Sequence, residues 1–138
     1  MEAKPCLDAD RQRKTFTECF REVYGKYRED EKVVEMFKRV SPSFPQPGLL
    51  YDYLDLVEHI RGSLTFLCTC DPDRIPEYHL VEIFKRRAKL LEEVPKLVRA
   101  GVIRDWEYDH YMSHMDWLLD EWGKDFKKFF LACTCGGR

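Results

Sequence analysis

The chain has 138 residues, a length that suits one domain and lets it bury roughly two-thirds of the surface its unfolded form exposes. Apolar residues make up 44% and charged residues 35%, and three Trp, seven Tyr and nine Phe supply bulk that a disordered chain lacks. A formal net charge of −2 argues against a dedicated nucleic-acid binder, whose affinity rests on a basic excess that neutralises phosphates.

The amino-terminal segment MEAKPCLDAD has no apolar core of the kind a secretory signal needs, and Glu2 stands where myristoylation requires glycine. No stretch approaches the ~20 apolar residues of a membrane span. The expectation is no membrane and a cytoplasmic or nuclear location, where six cysteines read as thiols or metal ligands rather than a disulfide framework.

From Asp10 to Arg28, residues Phe16, Cys19, Phe20, Val23, Tyr24 and Tyr27 recur at helical spacing opposite a charged face, which predicts a first amphipathic helix. The acids Glu29, Asp30 and Glu31 suit the amino end of a second, short helix with Val33, Phe37 and Val40 on one face, ended by Ser41-Pro42. Three prolines make SPSFPQPG, Ser41 to Gly48, a stiff loop. Beyond it, Leu50, Tyr53, Val57, Ile60, Leu64 and Leu67 alternate in steps of three and four and predict a third helix from Leu49 to about Leu67. Gly62 should weaken that helix locally.

Pro76 is placed to be the first residue of a fourth helix, with Leu80, Phe84, Leu91, Val94 and Val98 as its apolar face. Pro95 should kink or split it near Glu93, and Gly101 reads as its carboxyl cap. A fifth helix from about Arg104 to Leu131 carries Tyr111, Met115, Leu118, Trp122, Phe126 and Phe129 on one side, widened by Trp117, Leu119 and Phe130, and is read as the central helix. No strand pattern appears. The fold class expected is all-α, a single domain over residues 1–138 built as an up-and-down bundle of four to five helices, with residues 1–9 and 132–138 as flexible tails.

Two segments match: Phe66-Leu67-Cys68-Thr69-Cys70 ends the third helix and Leu131-Ala132-Cys133-Thr134-Cys135 ends the fifth. Alternating helix directions would bring both ends to one end of the bundle, so Cys68, Cys70, Cys133 and Cys135 are candidate ligands of a structural zinc, with His79 able to replace one of them. Redox or disulfide chemistry and inert burial as small apolar side chains are the other readings of these thiols, and Cys19 reads as core.

Lys85, Arg86, Arg87 and Lys89 give the fourth helix a basic side that could bind RNA, against the plainer reading of a solvated face balanced by Glu92 and Glu93. His110 and His114 have the four-residue spacing at which one helix can grip a metal, but no intervening zincin glutamate. His59 reads as a solvated partner of Asp55 and Glu58. No nucleophile with a base and no glycine-rich anion cradle emerges.

The function expected is therefore a non-enzymatic regulatory or adaptor protein, presenting aromatic anchors to another protein or to itself as a homodimer. An RNA-binding regulator and a thiol redox or metal-handling protein are the alternatives. Small size and cysteine content would also suit a viral accessory protein.

Overall fold

In the computed structural model, which describes residues 9–43, 48–69 and 75–133, five helices follow one another: α1 (Ala9–Lys26), α2 (Glu31–Val40), α3 (Leu49–Cys68), α4 (Glu77–Arg99) and α5 (Asp105–Cys133). No strand occurs among the described residues, and the all-α expectation holds. None of these helices is long and apolar enough to cross a membrane.

Local chemistry sets the boundaries. Asp30 caps α2, its Oδ1 accepting from the Lys32 amide at 2.9 Å, with the Val33 amide at 3.4 Å. The expected stiff loop begins with a 3₁₀ turn, Ser41–Ser43, and Ser41 Oγ accepts from the Leu50 amide at 2.7 Å to start α3. Pro76 lies one position earlier than expected, as the cap of α4, and Pro95 does not split that helix. At its far end Gly101 takes φ 77°, letting Val102 N donate to Leu97 O at 2.9 Å and Gly101 N to Val98 O at 3.0 Å. That is the Schellman pattern, which only a residue tolerant of left-handed backbone closes without strain. Glu107 reaches back to the Arg104 amide at 3.0 Å and so caps α5. This last helix runs on to Cys133, past the expected end near Leu131.

Side-chain pairs fix the directions. His59 meets His79 and Asp52 meets Arg86, so α3 and α4 are antiparallel. Tyr53 meets His114 and Ser63 meets Trp122, so α3 and α5 are parallel. Cys19 with Cys68 and Arg61 with the Tyr27 carbonyl set α1 antiparallel to α3. The four long helices α1, α3, α4 and α5 therefore run up and down, with the carboxyl ends of α3 and α5 at one end.

The central helix is α3, not α5 as the sequence suggested. It packs against α1, α2, α4 and α5, and its buried residues include Leu49, Tyr53, Leu56, Val57, Ile60, Leu64 and Leu67. The width of the α5 aromatic stripe misled the reading, because the rings of that stripe lie partly outside the core. Against α3 pack Phe37, whose ring centroid is 5.3 Å from each of Tyr53 and Tyr111, and the aliphatic face of α4. That face is Ile83, Leu90, Val94 and Leu97; Val94 is as expected, but Ile83, Leu90 and Leu97 each stand one position before the expected Phe84, Leu91 and Val98, and Phe84 turns outward.

Some polar groups inside the bundle are paired across helices. The buried carboxylate of Asp125 accepts from Tyr27 Oη at 2.8 Å and Lys26 Nζ at 3.0 Å. Trp122 Nε1 donates to Ser63 Oγ at 3.0 Å, and Ser63 Oγ donates to the Ile60 carbonyl at 2.9 Å. Such contacts stabilise modestly when made but cost more when one partner is lost inside.

Candidate functional site

Of the expected four-cysteine cluster, only Cys68 has a described side chain. Cys68 is joined to Cys19 in a disulfide between α3 and α1, with Cα atoms 5.6 Å apart. Cys68 is therefore no thiolate ligand in this structure, and Cys19, read as core, is buried but bonded. Cys70 and Cys135 lie outside the described residues, as does the side chain of Cys133. Among the described residues no group of three or more His, Cys, Asp and Glu side chains comes together as a metal cage.

The basic side of α4 is largely committed within the chain. Asp52, fully buried on α3, holds Arg86 Nη1 at 3.0 Å from Oδ1 and Lys89 Nζ at 3.0 Å from Oδ2, the second an ion contact away from hydrogen-bond geometry. Arg86 also reaches Glu82 at 3.0 Å and Asp55 at 3.6 Å, and Lys85 pairs with Glu82 at 3.5 Å. Arg87 Nε is buried. Of the four cations expected to offer an RNA surface, Arg86 and Lys89 are turned toward α3. The sequence shows their charge but not the buried acid that draws them in.

The histidines separate into three settings. His110 Nε2 lies 3.4 Å from Asp30, and His114 Nε2 lies 2.7 Å from the hydroxyl of buried Tyr53, with its ring stacked on Trp117. The two thus face different partners instead of one ion. His59 and His79, from α3 and α4, bring their Nδ1 atoms to 2.9 Å. That pairing was not expected from the sequence.

Burial, then the charge of His59, holds His79 below the ordinary histidine range. Burial does the same to His114, with Asp30 opposing and His110 adding to the depression. Unfolded histidines take up protons near pH ~6.5, whereas these two stay neutral to lower pH, so over that window the unfolded chain binds more protons. Stability should accordingly fall as pH drops through about 6.5 toward the lower folded values. Denaturant midpoints measured on either side of that window test this, and a midpoint that stays level or rises on acidification would contradict it.

The most conspicuous surface feature is aromatic. Tyr78, Val81 and Phe84 on α4 are 57%, 51% and 58% exposed, and they recur every three residues along one side of the helix. Phe84 meets Trp122 edge-on at 5.8 Å, Trp122 meets Phe126 at 5.8 Å, and Phe126 stacks on Phe130 at 6.3 Å. Four rings thus form a ladder crossing from α4 to α5. A separate groove of about 450 Å³ lies between α2 and α5 over Met36 and Trp106, rimmed by Glu31, Glu35 and the ion-paired Arg39 and Glu107. Its charges are spread round the rim and do not converge on one point. The sequence signal for the ladder was the heptad Ile83, Leu90, Leu97, which claims the inner face of α4 and leaves Phe84 outside.

No protein-family model, no curated protein and no solved structure matches this chain.

Proposed function

We propose that this chain is a non-enzymatic regulatory or adaptor module that binds another protein, or a second copy of itself, through the aromatic surface shared by α4 and α5. The observation that carries this reading is the ladder Phe84, Trp122, Phe126, Phe130, flanked by exposed Tyr78 and Val81. Rigid aromatic rings give large contact area at low entropic cost and are the common anchors of protein interfaces. Trp122 and Phe126 pack against the core, which holds the middle of the ladder in place before a partner arrives. The engagement of Arg86 and Lys89 with Asp52 weighs against an RNA-binding role, since ion-paired cations offer little counterion release.

The test is photocrosslinking from position 81 in the native background and in a Phe84→Asp variant. Phe84 is largely exposed, so the substitution should cost only about 1 kcal/mol of stability, the worth of its edge contact with Trp122. A discrete adduct, either a homodimer or one defined heteromer, is expected in the native background and should vanish in the variant. The absence of any adduct, or the same adduct in both, would reject this surface as the binding site.

A further inference from the structure

We propose that the occupant of the aromatic surface is a second copy of this chain, docked about a two-fold axis at Val81 so that α4 crosses its own copy antiparallel. The inference rests on the reading of the α4/α5 rings as the binding face, and it names the partner. Along the outside of α4, Glu77, Val81 and Lys85 stand four residues apart on one ridge, an acid, an apolar residue and a base. Tyr78 and Phe84 flank the ridge on opposite sides, each three positions from Val81. The chemistry of this face is therefore a palindrome about Val81.

A two-fold rotation there exchanges the ends of the ridge. Glu77 of each copy is set against Lys85 of the other, and Tyr78 of each copy lies on the side of Val81 to which Phe84 of the other is carried. This is the self-complementary pattern that an isologous dimer requires. Helices whose four-residue ridges run side by side cross at about −50°, the commonest packing class, so the docking needs no unusual geometry.

Both charges are available for the exchange. Glu77 is exposed and has no ion partner among the described residues, and the Lys85 side chain, 71% exposed, holds Glu82 only at 3.5 Å. Arg86 and Lys89 are drawn away toward Asp52, so the charge along this ridge is set by Glu77 and Lys85. The rings also have the extent that a dimer needs. With roughly 200 Å² to an aromatic side chain, the exposed parts of Tyr78, Val81, Phe84 and Phe130 offer about 400 Å² on each copy. A standard interface buries about 800 Å² per side, a little over half of it apolar, so these residues supply most of the apolar share. Tyr78 is steadied in advance, stacked on His79 at 4.6 Å and edge-on to His59 at 5.2 Å.

The experiment weighs the full chain by sedimentation equilibrium across the micromolar range, with free thiols alkylated so that no intermolecular disulfide stands in for the interface. The native chain is expected to associate to a dimer. Glu77→Lys sets base against base and Lys85→Glu sets acid against acid, each at two places in the dimer. Either variant alone should weaken association about tenfold, the effect of turning two exposed attractive contacts into repulsive ones. Both sites are exposed, so the fold is retained. Mixed in equal amounts, the two variants should pair with each other at close to native strength, because each carries the charges that the other lacks. A dimer indifferent to both variants, or variants that do not pair when mixed, would overturn the two-fold register at Val81. A native chain that stays monomeric would overturn the homodimer, and a single heteromeric adduct from position 81 would then retain the binding face with a different partner. A dimer unchanged by Phe84→Asp would overturn both readings.

Discussion

Unfolding the chain in the presence of a thiol reductant is expected to reveal a loss of about 4 kcal/mol relative to the oxidised chain. Cys19 and Cys68 are separated by 49 positions, and closing a loop of that length removes roughly this much entropy from the unfolded ensemble. For a domain whose whole stability is about 5–15 kcal/mol, the fraction is large. The bond also fastens the middle of α1 to the carboxyl end of α3, while Arg61 and the Tyr27 carbonyl join them farther along, at 2.7 Å. Denaturant titrations with and without reductant measure the difference, and the Cys19→Ala, Cys68→Ala double variant should match the reduced chain. Coincident unfolding curves would show that the crosslink contributes nothing.

Replacing Arg86 with Met should destabilise the chain by about 3–5 kcal/mol, the range found when one partner of a buried ion pair is removed. Asp52 is fully buried, and Arg86 is the cation on its Oδ1. Without the guanidinium, Lys89 alone answers that charge, and Asp55 and Glu82 lose the cation that both contact. Pairing Asp52→Leu with Arg86→Met should recover most of the loss, since an apolar pair of similar volume often does as well as a buried salt bridge. Chemical denaturation of the two single variants and the double variant forms the cycle that measures the coupling. A single variant losing under about 1 kcal/mol would mean that water reaches Asp52.

Much of the bundle could be read from the sequence because burial there follows helical period. Tyr53, Val57, Ile60, Leu64 and Leu67 were expected as the inner seam of α3 and are buried, and Gly101 ends α4 by the backbone geometry that only glycine takes easily. The phase of α4 differs from the expected one because Phe84 outweighs Ile83 in bulk while Leu90 and Leu91 are equal, and it is Ile83 and Leu90 that are buried. Charge was read along one helix at a time, so Arg86 and Lys89 looked exposed and Asp52 was not seen as their partner. Asp52 with Arg86 and His59 with His79 belong to a single antiparallel register. That register is offset from the middle of the connection between Cys68 and Glu77, so counting back from the turn does not reveal it. The crosslink of Cys19 to Cys68 had no signal either, because six cysteines permit many pairings.

The position of α3 at the middle of both the bundle and the chain bears on how a growing polypeptide acquires its fold. When Cys68 has left the ribosome, α1, α2 and α3 are complete, yet α3 still lacks α4 and α5, against which it packs in the finished bundle. Assembly of this domain is thus deferred until its last helix has emerged, and the interval before then is when its apolar surface is open to misassociation.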